Sequence, residues 1–275
     1  MHNRSLSFIE SDYLIRIIYL NYIEFKKVIS MLKASIDIDL LRDSITALSV
    51  IVSEVRLKVK TDGISVKAVD AANVAMVIFD LKSSAFESYQ AEETEIGLDL
   101  SKLNDILGIV EKKTTVDLEL DMAAQKLLLN FGGLSYTLSL LDPSTIRSEP
   151  RVPQLDLPAK VVLNGQDLKR AVKAAEKVSD HMTLGVSGNT FFMEAKGDTD
   201  QVRLEMGTDQ LIDLKSGEAN SLFSLDYLLD IIKSAGKANE VTLSIGCDFP
   251  ILIEFDVAAN VCHVTFLLAP RIESD

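Results

Sequence analysis

Tryptophan is absent from the 275 residues, and only two cysteines and three histidines are present. Cys247 and Cys262 form neither a C-x-x-C pair nor a disulfide framework, which excludes a disulfide-stapled scaffold. Both thiols are expected to be small core hydrophobes of a reduced, intracellular protein. His2, His181 and His263 are too scattered for a metal site, so no metal is expected. No apolar run approaches the roughly 18 residues that a bilayer crossing needs, so no membrane partner is expected. There is no Walker loop, no G-x-S-x-G, no H-E-x-x-H and no G-x-G-x-x-G. No cofactor is therefore expected, and the chain reads as a non-enzyme. Aromatics make up only 6% of the residues, so the cores must be mainly aliphatic. The formal charge of −13 makes the exterior acidic, which argues against general affinity for nucleic acid. It leaves room for a local basic patch, because partners sense the local field rather than the sum.

What the chain does have is an internal repeat. With an offset of 127 residues, Leu41, Ile45, Ala47, Ile51, Leu57, Val59, Ile64, Val66 and Ala68 fall on Leu168, Val172, Ala174, Val178, Leu184, Val186, Phe191, Met193 and Ala195. With an offset of 125, Leu100, Leu103, Asp105, Ile106, Leu107, Val116, Leu118 and Leu120 fall on Leu225, Leu228, Asp230, Ile231, Ile232, Val241, Leu243 and Ile245. The copies also end alike, Leu140-Leu141-Asp142-Pro143 answering Leu267-Leu268-Ala269-Pro270. Two similar domains in tandem follow, at 31–142 and 159–275. Residues 1–30, with tyrosines at 13, 19 and 22, lie outside the repeat. They read as an extension foreign to the working fold, with Met31 the natural start, or else as an accessory arm.

In the first copy, Asp39–Val52 carries Leu41, Ile45, Leu48 and Val52 on one helical face. Val55–Lys60 and Ile64–Val69 alternate as strands around the turn Thr61-Asp62-Gly63. Further strands are expected at 74–81, 116–120, 127–131 and 135–141. A second helix is expected at 101–110, with Ser101 as its N-cap. The second copy repeats this, with helices near 165–178 and 224–235. Between the copies, 143–158 holds four of the six prolines and should be an extended connector. Four helices among many antiparallel strands make an α+β fold, helices on one face and sheets on the other.

The helix over 168–178 puts Leu168, Ala171, Val172, Ala175 and Val178 on one face and Arg170, Lys173 and Lys177 on the other. Such a stripe suits a run of phosphates; it equally suits a solvated helix face. The other helices mix signs, with Arg42 beside Asp43, Asp105 and Gly108 with Lys102 at the side, and Lys233 and Lys237 near Asp226 and Asp230.

The tandem copies, the connector, the stretch Asp62-Gly63-Ile64 leading to Val69-Asp70-Ala71-Ala72-Asn73-Val74, the run Asp248-Phe249-Pro250-Ile251 with Glu254-Phe255, and the ending Leu267 to Glu273 resemble the sliding-clamp family of proliferating cell nuclear antigen. The resemblance is collinear over 31–275 and is nearest the archaeal members. It implies a head-to-tail homotrimeric ring that encircles double-stranded DNA without sequence readout. The ring would tether DNA polymerase, flap endonuclease and DNA ligase through short peptide motifs, and a clamp loader would open it. A subunit of a heteromeric, checkpoint-type ring is the alternative. The implied location is cytoplasmic at the archaeal nucleoid, or nuclear in a eukaryote.

By the same resemblance, Arg42, Lys102, Arg170, Lys173, Lys177, Lys233 and Lys237 face DNA. Asp43, Ser49, Asp105 and Gly108 stand where better-known members carry lysines, so the first copy should be the weaker DNA side. A partner-peptide pocket is implied at Val69, Asn73, Val74, Met76, Val152, Leu155, Pro250, Leu267, Leu268, Ala269, Pro270 and Ile272. Asn73 stands where many relatives have histidine. The implied subunit interface pairs Ser135–Leu141, chiefly Ser135, Tyr136, Thr137 and Leu138, with Gln201–Met206 of the next subunit, chiefly Gln201, Val202, Arg203 and Leu204.

Overall fold

The structure, a computed structural model, describes residues 31–258 and 260–272. The expectation for residues 1–30 lies outside these. The first copy runs β1 (Leu32–Asp37), α1 (Ile38–Leu48), β2 (Glu54–Lys60), β3 (Gly63–Val69), β4 (Ala75–Lys82), β5 (Ser88–Ala91), β6 (Thr94–Asp99), α2 (Leu100–Gly108), β7 (Thr115–Asp121), β8 (Lys126–Phe131) and β9 (Leu134–Ser139). The second runs β10 (Ala159–Leu163), α3 (Gly165–Ala175), β11 (His181–Ser187), β12 (Thr190–Lys196), β13 (Gln201–Gly207), β14 (Asp213–Lys215), β15 (Ala219–Ser224), α4 (Leu225–Ala235), β16 (Val241–Ile245), β17 (Ile251–Ala258) and β18 (Cys262–Leu268). The two orders match element for element, as the repeat predicts.

The strands form three antiparallel sheets, ordered β5-β1-β7-β8-β9, β14-β10-β16-β17-β18-β4-β3-β2-β6 and β13-β12-β11-β15. The nine-stranded sheet crosses from one copy to the other through β18 and β4, which pair from Cys262↔Leu81 to Leu268↔Ala75. Alternate residues of β18, namely Cys262, Val264, Phe266 and Leu268, are buried towards the helices. There the Ser44 hydroxyl of α1 lies 3.3 Å from Cys262 Sγ, and burial pushes that thiol up to about 12. The core is aliphatic apart from a few phenylalanines such as Phe79, Phe191, Phe223 and Phe266.

Helix boundaries follow their caps. Asp99, still extended, accepts the Lys102 N–H at 3.0 Å and caps α2 two residues before the expected Ser101 cap. That bond holds the Asp99 carboxyl below its ordinary range. Helix α1 ends at Leu48, with Ser49 closing it onto Ile45 O, so Val52 lies outside the helix. Helix α3 ends at Ala175, which leaves Lys177 and Val178 in the following turn. At the other end of α3, Gly165 lets the backbones meet: a Cβ there would stand 2.2 Å from Ala235 O at the end of α4. Cys247 is exposed rather than buried, because it sits in the turn after β16 and not in a strand.

Candidate functional site

The helices of the two copies meet directly, α1 packing on both α2 and α4, and α3 on α4. Most cations expected on this face are exposed, and all of these except Lys173 are answered by a carboxylate. Lys102 pairs with Asp99 at 3.3 Å, Arg170 with Asp167 at 3.1 Å, Lys177 with Glu176 at 3.5 Å and Lys233 with Asp230 at 2.6 Å. Lys237 reaches across the copies to Asp43 of α1 at 3.0 Å. Exposed pairs of this kind contribute little to stability, so the cations can exchange partners with an arriving anion. Lys173 has no ion pair among the described residues. It lines a groove of about 710 Å³ between α3 and α4 together with Lys169, Lys233, Glu176, Asp226 and Asp230. Lys169 escapes sequence reasoning because its stem lies against the helix pair, beside Gly236.

Arg42 is engaged within the subunit. Its guanidinium donates to Leu107 O at 3.0 Å and to Val110 O at 2.7 Å, and pairs with Asp39 at 3.1 Å. These bonds hold the half-buried guanidinium against the end of α2, unlike the exposed cations expected to face DNA.

Two edge strands carry the residues expected at the subunit interface. β9 ends the five-stranded sheet and β13 ends the four-stranded one. Leu134 and Tyr136 are 54% and 37% exposed on β9, with Tyr136 stacked on Phe131 at 6.0 Å. Ser135 and Thr137 are exposed, whereas Leu138 is buried in its own core and so offers no side chain at the edge. On β13, Val202 and Leu204 are half-buried. Arg203 lies 4.3 Å over the Phe192 ring and pairs with Glu194 and Glu205, while Gln201 donates to Glu194 at 2.7 Å.

On the face of the nine-stranded sheet away from the helices, the registers align Val69, Met76, Leu267 and Leu252 in one apolar row across four strands. Leu268 alternates to the opposite face and is fully buried, so it serves the core and leaves the expected pocket set. Asn73, at φ 58°, accepts from Arg147 of the connector at 2.6 Å. The connector opens with a 3-10 turn, Pro143–Thr145, and is then pinned: Arg56 donates to Ile146 O at 2.6 Å, and Glu149 pairs with Lys58 and Lys67. The hydrogen bond from Lys58 holds the Glu149 carboxyl low. Val152 is exposed, and Leu155, Pro250, Ala269 and Pro270 are half-buried. The tail leaves β18 with Ala269 N bonded to Val74 O at 2.9 Å and Arg271 N to Leu222 O at 2.7 Å, and Ile272 is 78% exposed beyond it. Phe249, half exposed beside Pro250, is an apolar addition to the expected pocket residues.

Comparison with known proteins accords with this layout. Family models described as proliferating cell nuclear antigen, N-terminal domain and C-terminal domain, match residues 31–135 and 151–271. The chain is 70% identical over 245 residues to the DNA polymerase sliding clamp of Methanosarcina mazei, covering 89% of this chain and 100% of the relative. Over 247 residues it is 48% identical to that of Halobacterium salinarum, again covering 89% of this chain and all of the relative. Among solved structures, A. fulgidus PCNA bound to the C-terminal region of FEN-1 superposes with a TM-score of 0.85 at 38% identity, covering 89% of this chain and 100% of that one. PCNA from Thermococcus kodakaraensis superposes with a TM-score of 0.81 at 28% identity, covering 87% and 100%.

Proposed function

The chain belongs to the proliferating cell nuclear antigen family of sliding clamps, and from that membership we propose that three copies close head to tail into a ring around duplex DNA. It is a DNA polymerase sliding clamp, a processivity factor. One observation carries the ring: the repeat places β9 in the position of β18 and β13 in the position of β4, yet only β18 and β4 are paired within the chain. The unfilled counterpart is β9 of one subunit on β13 of the next. Such a heterologous contact closes on itself and covers both open edges. Carrying the β18–β4 register across sets Leu134 opposite Leu204 and Tyr136 opposite Val202 on the helix side. The two exposed apolar side chains of β9 then meet the two half-buried ones of β13. Because both complementary edges belong to one chain, a homomeric ring is favoured over a heteromeric one.

The helix face would line the hole. Mixed charge there gives weak, delocalised attraction to phosphate, which suits sliding better than a fixed grip. The outer apolar row, with Asn73, Val74, Val152, Leu155, Pro250 and the tail, would receive a short peptide of a partner. The A. fulgidus relative bound to the C-terminal region of FEN-1 supports a flap endonuclease as one partner. DNA polymerase, DNA ligase and a clamp loader are proposed to use the same surface, with the archaeal cytoplasm as the place of work. The chain lacks a Walker loop, so the loader is assigned the nucleotide chemistry.

The deciding experiment loads the protein onto nicked circular duplex and then linearises it. Retention on circles at high salt with prompt release on cutting is expected. Equal retention on linear and circular DNA would mean that the protein grips rather than encircles.

A further inference from the structure

The joint inside the chain has a charge complement that the joint between chains lacks. Across the β4–β18 seam, Lys237, just after α4, meets Asp43 of α1 at 3.0 Å. The repeat lays α1 on α3 and α2 on α4, which sets Arg170 in the place of Asp43 and Lys112 in the place of Lys237. Both replacements are exposed and both are positive. Lys113 adjoins Lys112, at φ 58°, and neither lysine has an ion pair among the described residues. The carboxylates nearby are Asp167, which pairs with Arg170 at 3.1 Å, and Glu111, which precedes Lys112. Three cations therefore face two carboxylates there, whereas at the in-chain seam Lys237 shares its surroundings with two carboxylates, Asp43 and Asp256.

Resting on the ring reading above, we propose that each joint between subunits is a seat for a backbone phosphate of the encircled duplex. The seat is completed by Arg170 of one subunit and Lys112 of the partner subunit. Unfilled, the two cations repel across the seam; a phosphate between them turns that repulsion into two attractions. Phosphate binding then gathers at alternate joints of the ring, and DNA tightens the ring that it threads. A seat formed from two chains vanishes on opening, so grip on the backbone and ring closure become linked events.

The test is a charge-exchange cycle on the full chain. Sedimentation equilibrium of wild type, Arg170→Asp, Lys112→Asp and the double variant is measured with and without a short linear duplex. Each single variant creates an opposite-charge pair and is expected to tighten the trimer about 3-fold per joint, while the double variant does not keep that gain. The duplex should tighten the wild-type trimer and leave Arg170→Asp unchanged. Additive effects in the double variant, or equal tightening of Arg170→Asp by the duplex, overturn the proposal while leaving the ring intact. Inorganic phosphate at matched ionic strength that matches the duplex would overturn the assignment to a DNA phosphate. Monomers throughout would instead overturn the ring reading, and this inference with it.

Discussion

The Tyr227 hydroxyl donates to Asp70 Oδ2 at 2.7 Å, tying the first turn of α4 in the second copy to the β3–β4 turn of the first. The same carboxylate accepts the N–H groups of Ala72, Val74 and Ala75. Burial pushes the Asp70 carboxyl up, but these donors outweigh it and hold the group below the usual range. The hydrogen bond to Asp70 raises the Tyr227 phenol to about 12. Because the folded value is lowered, this contribution is complete above the ordinary Asp value of about 3.9 and fades as pH falls from there through the folded value. Asp70→Asn should cost about 2–3 kcal/mol at neutral pH, since charge-assisted bonds are removed. It should also flatten the acid limb of Tm against pH. An unchanged acid limb would show that Asp70 is not the group that sets it.

At the open edges, Leu134→Asp sets a carboxylate among the apolar side chains proposed to meet there. Sedimentation at micromolar concentration should shift from trimer to monomer while the far-UV circular dichroism of the subunit stays unchanged, because Leu134 is already exposed in the subunit. A trimer that survives this change would place the subunit interface elsewhere.

Lys173 is exposed and has no ion pair among the described residues, so its reversal should cost the subunit little. Lys173→Glu is expected to weaken loading and polymerase processivity. It should lower the slope of log affinity against log salt by about 1 for each phosphate that the side chain had neutralised. No change in either quantity at low salt would remove α3 from the DNA-facing surface.

The family models begin at residue 31, and the full length of the Methanosarcina mazei relative is matched within 245 of the 275 residues. Removing residues 1–30 is therefore expected to leave the trimer and its retention on circular DNA unchanged. Loss of either in the shortened chain would assign those residues a part in the assembly.

Much of this fold is legible in the sequence where one side chain after another answers to a single period. Val55, Leu57 and Val59 alternate in β2 and are buried in alternation, and Leu168, Val172 and Ala175 hold α3 to its sheet as their spacing predicts. Short strands such as β5 and β14 are less legible, because their order comes from remote partners rather than from a pattern of their own: β5 exists by pairing with β1, and β14 by pairing with β10. Ser101 and Asp99 are both good caps, and only the extended backbone at Asp99 decides between them. The site divides in the same way. Charge counts find Arg42 but not the direction in which its guanidinium turns, and apolar counts find Leu268 but not the face that alternation gives it. The open edges at β9 and β13 need the topology, since a strand's lack of a neighbour leaves no mark on its own residues.

The pairing of β18 with β4 also bears on dilution. Six equivalent seams would require six separate half-length chains to meet, and such an assembly disperses steeply as concentration falls. Joining two halves in one polypeptide makes every second seam an intramolecular event, fixed by tether length instead of by collision. The number of bodies that must find one another is halved. A protein present at modest copy number can then hold its assembled form without each seam being individually strong.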